Sequence, residues 1–169
     1  MAHQHRPVCP IQKSPIVAQV ATASSELFRC PLDTSDADRI AQSSPPDGPY
    51  LYSYSMTGYG EGPYPDLESD PAVNLGMSSV LTGDTPALFK QSSVRNPALK
   101  IMQAEEVATT SSTENPTDAT VISDGRWMPG QDILTARHSG RADVTFADGH
   151  AEAVPWEFGN DYTNSLPRL

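Results

Sequence analysis

Sixteen prolines are scattered along the 169 residues of this chain, with neither a repeat nor a terminal Pro-rich tract. Each one fixes φ and removes a backbone donor, so it is excluded from the interior of a helix or a central strand. Spacing of this kind confines the fold to short elements, edge segments and many turns. The length suits one domain, 1–169, with a modest core. With 37% apolar and 19% charged residues, the composition is that of a folded globular protein with much surface.

The net charge of −10 repels phosphate backbones and anionic lipid, which excludes nucleic acid as a partner. Acidity suits calcium, but it serves solubility more often, and no calcium-loop pattern accompanies it. No window approaches the run of about 20 apolar residues that spans a bilayer. The opening MAHQHRPVCP lacks the apolar centre of a signal peptide. As given, the chain is expected to make no membrane contact.

Residues 1–26 are poorly patterned, and Ile16, Val17 and Val20 suit a helix or a strand equally. Residues 31–49, with Asp33, Asp36 and Asp38 ahead of SSPPDGP, read as a loop. Tyr50 to Met56 alternates, with Tyr50, Tyr52, Tyr54 and Met56 on one side and Leu51, Ser53 and Ser55 on the other. That is the pattern of a half-buried strand. Residues 57–79 read as an irregular excursion, and Pro86 suits the start of a short helix through Phe89. ALKIMQAEEV fits a helix by propensity and a buried strand by brevity. The polar run 108–120 reads as a mobile surface loop, and VISD, 121–124, as a short strand.

The best-specified element is RHSGRADVTFADGHAEAVPW, residues 137–156. Asp148-Gly149 predicts a two-residue β-hairpin turn. Folding there pairs Phe146 with Ala151, Thr145 with Glu152 and Val144 with Ala153, placing Phe146, Val144, Ala151 and Ala153 on one apolar face. Ser139-Gly140 lets the chain bend, so we expect His138 to fold back onto the Asp148-Gly149 turn. His138, Asp148 and His150 also form a candidate zinc or acid–base set. Against that, Asp in a turn usually serves φ and local hydrogen bonding, and no nucleophile elbow, Gly-rich phosphate loop or HExxH is present. The expectation is therefore a structural motif of His138, Asp148, Gly149 and His150, with no catalytic residue, no metal ligand and no cofactor, calcium alone excepted on grounds of charge.

His138, nine residues and then Asp148-Gly149 resemble the C-terminal H-X9-DG motif of prepilin-like proteins. LFRCPLD (27–33), YSYSM (52–56), RNPALKIMQAEE (95–106) and the tail FGNDYTNSLPRL follow that family's order. The resemblance covers roughly residues 27–169, and only the H-X9-DG segment is specific. It implies an α+β pilin-like globular domain, with an antiparallel β-sheet packed on an N-terminal helix, long loops and a strand at 98–106. It further implies a non-enzymatic subunit of a pilus-like or type II secretion-like (pseudopilin) assembly. Other pilin-like subunits or secretion-system components would be its partners, at the periplasmic side or cell surface. The chain departs from the family in lacking the hydrophobic N-terminal prepilin helix. Cys9 and Cys30 each precede a proline, with no CxxC or zinc spacing. They are two unrelated buried thiols or, in an exported protein, one disulfide, and we expect the disulfide. The competing readings are an exported ligand- or calcium-binding surface module, and a metal-dependent hydrolase built on His138, Asp148 and Glu105 or Glu106.

Overall fold

The structure, a computed structural model, describes residues 25–42, 50–58, 77, 81–82, 85–86, 90–117, 125–130 and 132–167. Among these residues it is an α+β arrangement of one α-helix, α1 (Asp36–Gln42), and seven strands. The strands are β1 (Tyr54–Thr57), β2 (Leu81–Thr82), β3 (Thr85–Pro86), β4 (Ile101–Glu105), β5 (Arg126–Trp127), β6 (Arg141–Phe146) and β7 (Ala151–Pro155). None exceeds six residues, in keeping with the density of prolines. β2 and β3 form a ribbon of their own, and the other five form one sheet in the order β5-β1-β4-β6-β7. No helix among the described residues is long and apolar enough to cross a membrane.

The sheet is mixed, which corrects the expectation of an antiparallel one. β1–β4, β4–β6 and β6–β7 are antiparallel, but β5 runs parallel to β1. Parallel neighbours need a long crossover, and here the connection is the entire stretch that contains β4.

One face of the sheet makes the core. Ile101, Ala104, Trp127, Leu134, Ala142, Val144, Phe146 and Val154 pack together, with Trp156 and Phe158 against them. The 3₁₀ turn Trp156–Asn160 closes this face, and Gly159 fits because a Cβ there would stand 2.7 Å from Leu134 Cγ. The Trp127 indole N–H donates to Ser165 Oγ at 3.0 Å, holding the C-terminal segment down.

β1 keeps the predicted alternation. Ser53, Ser55 and Thr57 are the buried set, while Tyr52, Tyr54 and Met56 are only half-buried. The buried hydroxyls are satisfied: Ser53 donates to Asp33, Ser55 to Glu106 and Thr57 to the Ile101 carbonyl, at 2.6 to 2.7 Å. Segment 101–105 is a strand, resolving its two readings, with a register shift between Ile101 and Gln103.

Three further expectations change. The segment 31–49 contains α1, whose first turn carries Asp36 and Asp38, where carboxylates favour the helix dipole. Thr85–Pro86 is a strand and not a helix start. The run 108–117 is exposed at residues 110–113, 116 and 117, as expected of a surface loop, but it is anchored at three points. Ala108, Thr109 and Asn115 are buried, and the Asn115 amide donates to the Thr109 carbonyl at 3.1 Å. Ile16 to Val20, SSPPDGP, 87–89, most of 57–79 and VISD lie outside the described residues.

β6 and β7 pair one residue away from the expected register. Thr145 faces Ala151, Val144 faces Glu152 and Asp143 faces Ala153. The Phe146 N–H donates to the His150 carbonyl at 2.8 Å, so three residues, Ala147 to Gly149, make the connection instead of two. Gly149, at φ +95°, supplies the left-handed residue of such a three-residue loop. A one-residue slip exchanges the faces of a strand. Accordingly Ala142, Val144, Phe146 and Val154 point inward, while Ala151 is exposed and Ala153 half-buried.

Candidate functional site

The motif residues divide between the two ends of β6. At the far end Asp148 serves its own turn. Its carboxylate accepts the His150 N–H at 3.1 Å and contacts His150 Nδ1 at 2.6 Å. The His150 N–H first, and then its ring, hold this exposed carboxyl below the usual range. The His150 ring stacks on Phe146 with centroids 4.4 Å apart.

At the near end the chain bends through Ser139 and Gly140, both at positive φ (+56° and +85°). The bend carries His138 not to Asp148-Gly149, as expected, but to Glu105 and Cys30. His138 Nε2 lies 2.8 Å from Glu105 Oε2, 3.5 Å from Cys30 Sγ and 3.6 Å from Asp143 Oδ2. The reason is length: the nine intervening residues are mostly strand, and six extended residues span about 20 Å. The spacing therefore separates His138 from the turn instead of folding it back.

Around this contact lies an ionic cluster reached only through the tertiary fold. Arg137 donates to Glu105 Oε1 at 2.6 Å and to Glu114 Oε2 at 2.9 Å, and it lies 3.5 Å from Asp33 Oδ1. Asp33 is gripped by both terminal nitrogens of Arg39, at 2.9 and 2.6 Å, a bidentate pair with side chains 1% and 0% exposed. Ser53 joins this pair to β1, accepting the Cys30 N–H at 2.9 Å while donating to Asp33. The pre-helix segment, β1, β4 and the start of β6 are thus stitched at one point.

The electrostatics follow from burial and charge. Burial alone would raise the Asp33 pKa, but hydrogen bonds from Arg39, Ser53 and the Ser35 N–H hold it far below the carboxylate range. Burial would likewise ease the proton off Arg137, and the Glu114 hydrogen bond with the Asp33 and Glu105 charges outweighs it, raising its pKa. Burial raises the Cys30 thiol, helped by Glu105. The Tyr54 hydroxyl is pushed up to about 12 by burial and then by the Glu105 charge.

Cys30, His138 and Glu105 are the residue types of a nucleophilic triad, yet the arrangement differs in a decisive way. A triad uses both ring nitrogens, one toward the nucleophile and one toward the carboxylate. Here Sγ and Oε2 converge on the same Nε2. The thiol is 2% exposed and its pKa is raised, the opposite of an activated thiolate. Glu105, named beside His138 in the hydrolase reading, does meet it. Asp148 does not, and Glu106 bonds Ser55 instead.

Among the described residues Cys30 has no disulfide partner. Cys9 lies outside the described residues, and so does the Cys9–Cys30 pairing. Sequence reasoning missed Asp33, Arg39, Arg137 and Glu114 as a set. The signal available was the acid pair Glu105-Glu106 at the end of an apolar segment, which needs a cationic partner when buried.

The other face of the sheet is an open groove of about 640 Å³. Leu27, Phe28, Tyr54, Met56, Asp143 and Thr145 contribute to its lining. Comparison of the chain with models of known protein families, with curated proteins and with solved structures finds no match.

Proposed function

We propose that this domain is a non-enzymatic structural subunit of a pilus-like or type II secretion-like assembly, placed at the periplasmic side or cell surface. One observation supports this most: the polar residues of the H-X9-DG segment act as fasteners. His138 and its neighbour Arg137 clasp β4 through Glu105, and Asp148 and His150 complete their own turn. A segment that resembles the prepilin-like motif thus holds strands together. The open sheet face is suited to receive another polypeptide. Its lining mixes aromatic and apolar side chains with polar and charged ones, among them Gln103, Asp143 and Glu152, and aromatic residues are enriched at protein–protein surfaces.

Photo-crosslinkable residues in place of Met56 and Thr145, introduced into the full-length protein in its native cells, test the reading. The expected product is a crosslink to a pilin-like polypeptide or a secretion-system component. Crosslinks only to unrelated proteins, or a hydrolase activity lost in His138→Ala, would overturn it.

A further inference from the structure

Three side chains far apart in sequence aim their donor atoms at one spot. Cys30 Sγ, Glu105 Oε2 and His138 Nε2 all lie within 4.8 Å of one another. They come from the segment before α1, from β4 and from the bend before β6. Thiolate, imidazole and carboxylate together are the donor types of a zinc site. Bonds of about 2.0–2.3 Å at tetrahedral angles place ligand atoms roughly 3.3–3.7 Å apart. The Cys30–His138 separation of 3.5 Å already meets this, and Glu105 need recede only slightly from its 2.8 Å contact. Cys30 and Glu105 are buried, and the His138 side chain is 23% exposed, which leaves one side open for an ion to enter. Asp143 stands on that side, 3.6 Å from Nε2.

The charges lean the same way. The cluster contains three carboxylates, Asp33, Glu105 and Glu114, against two guanidinium groups, Arg39 and Arg137. Asp143, beside His138, adds a further carboxylate, and a dication would offset this excess of negative charge.

The geometry points to a zinc-binding site formed by Cys30, Glu105 and His138, with its fourth position toward solvent beside Asp143. On binding, Cys30 releases its thiol proton to solvent and the His138 ring carries its hydrogen on Nδ1, freeing Nε2 for the metal. This set differs from the His138, Asp148 and His150 set weighed in the sequence, since Asp148 and His150 occupy the other end of β6. The ion would lock the pre-helix segment to the sheet, and a disulfide from Cys30 would exclude it. The inference stands independently of any assembly role.

Cobalt(II) added to the full-length, reduced, metal-stripped protein tests it. A thiolate-to-cobalt charge-transfer band should grow to one equivalent and be displaced by zinc. It should vanish in Cys30→Ser and His138→Ala, persist in Cys9→Ser and His150→Ala, and strengthen about twofold in His138→Cys, where two thiolates bind. A circular dichroism spectrum of His138→Cys that matches the wild type shows that the doubled band comes from the folded protein. Absence of the band in the wild type, its survival in Cys30→Ser, or its loss in Cys9→Ser would overturn the site, the last by placing the ion near His3, His5 and Cys9.

Discussion

Replacing Arg137 by alanine would leave Glu105 and Asp33, both buried, without one of the cations that hold them charged. Breaking a buried pair from one side costs about 3–5 kcal/mol, because the surviving charge stays desolvated. Urea denaturation of Arg137→Ala should show a loss of that size, with an unchanged slope. A loss below about 1 kcal/mol, typical of exposed pairs, would show that solvent reaches the cluster. The residue scale is also where the sequence was least informative. His138 was legible as special because it opens a specific motif, but its partners were not. Cys30 is 108 positions away and Glu105 33, and no local pattern encodes contacts of that range. The turn at Asp148 was legible because its chemistry is local: an Asp side chain bonding the backbone two residues on.

Elements were legible where side-chain period and turn chemistry agree. β1 alternates as read and β6 and β7 flank the predicted reversal, yet the loop is longer by one residue, so the faces exchanged. Period alone cannot distinguish a two-residue from a three-residue connection, since Asp-Gly serves both. α1 was hidden because its seven residues, DADRIAQ, are too few to show a helical apolar stripe. Gly149 carries the observed connection, at φ +95° with nothing within 4 Å of an added Cβ. Gly149→Ala should therefore cost about 1–2 kcal/mol through backbone strain alone. Thermal unfolding is the check, and a neutral result would mean the loop has another conformation available.

For the whole molecule, the buried cluster sets the acid limit of stability. The folded pKa of Asp33 lies below that of the unfolded chain, so the unfolded state takes up the proton first as pH falls. Its contribution is complete above about pH 4, the ordinary Asp range, and is lost below that. Denaturation midpoints should fall steeply under pH 4, and Asp33→Asn, less stable at neutral pH, should flatten that limb; parallel curves would refute the assignment. The sheet order has another consequence, for how copies can meet. Among the described residues its borders are β5, two residues long, and β7, which ends in Pro155 and exposes Glu152. A stub and a strand with a missing donor and a charge are poor templates for lateral strand addition. In the proposed assembly, copies would therefore meet through surfaces, and subunits could come apart without unzipping a shared backbone ladder.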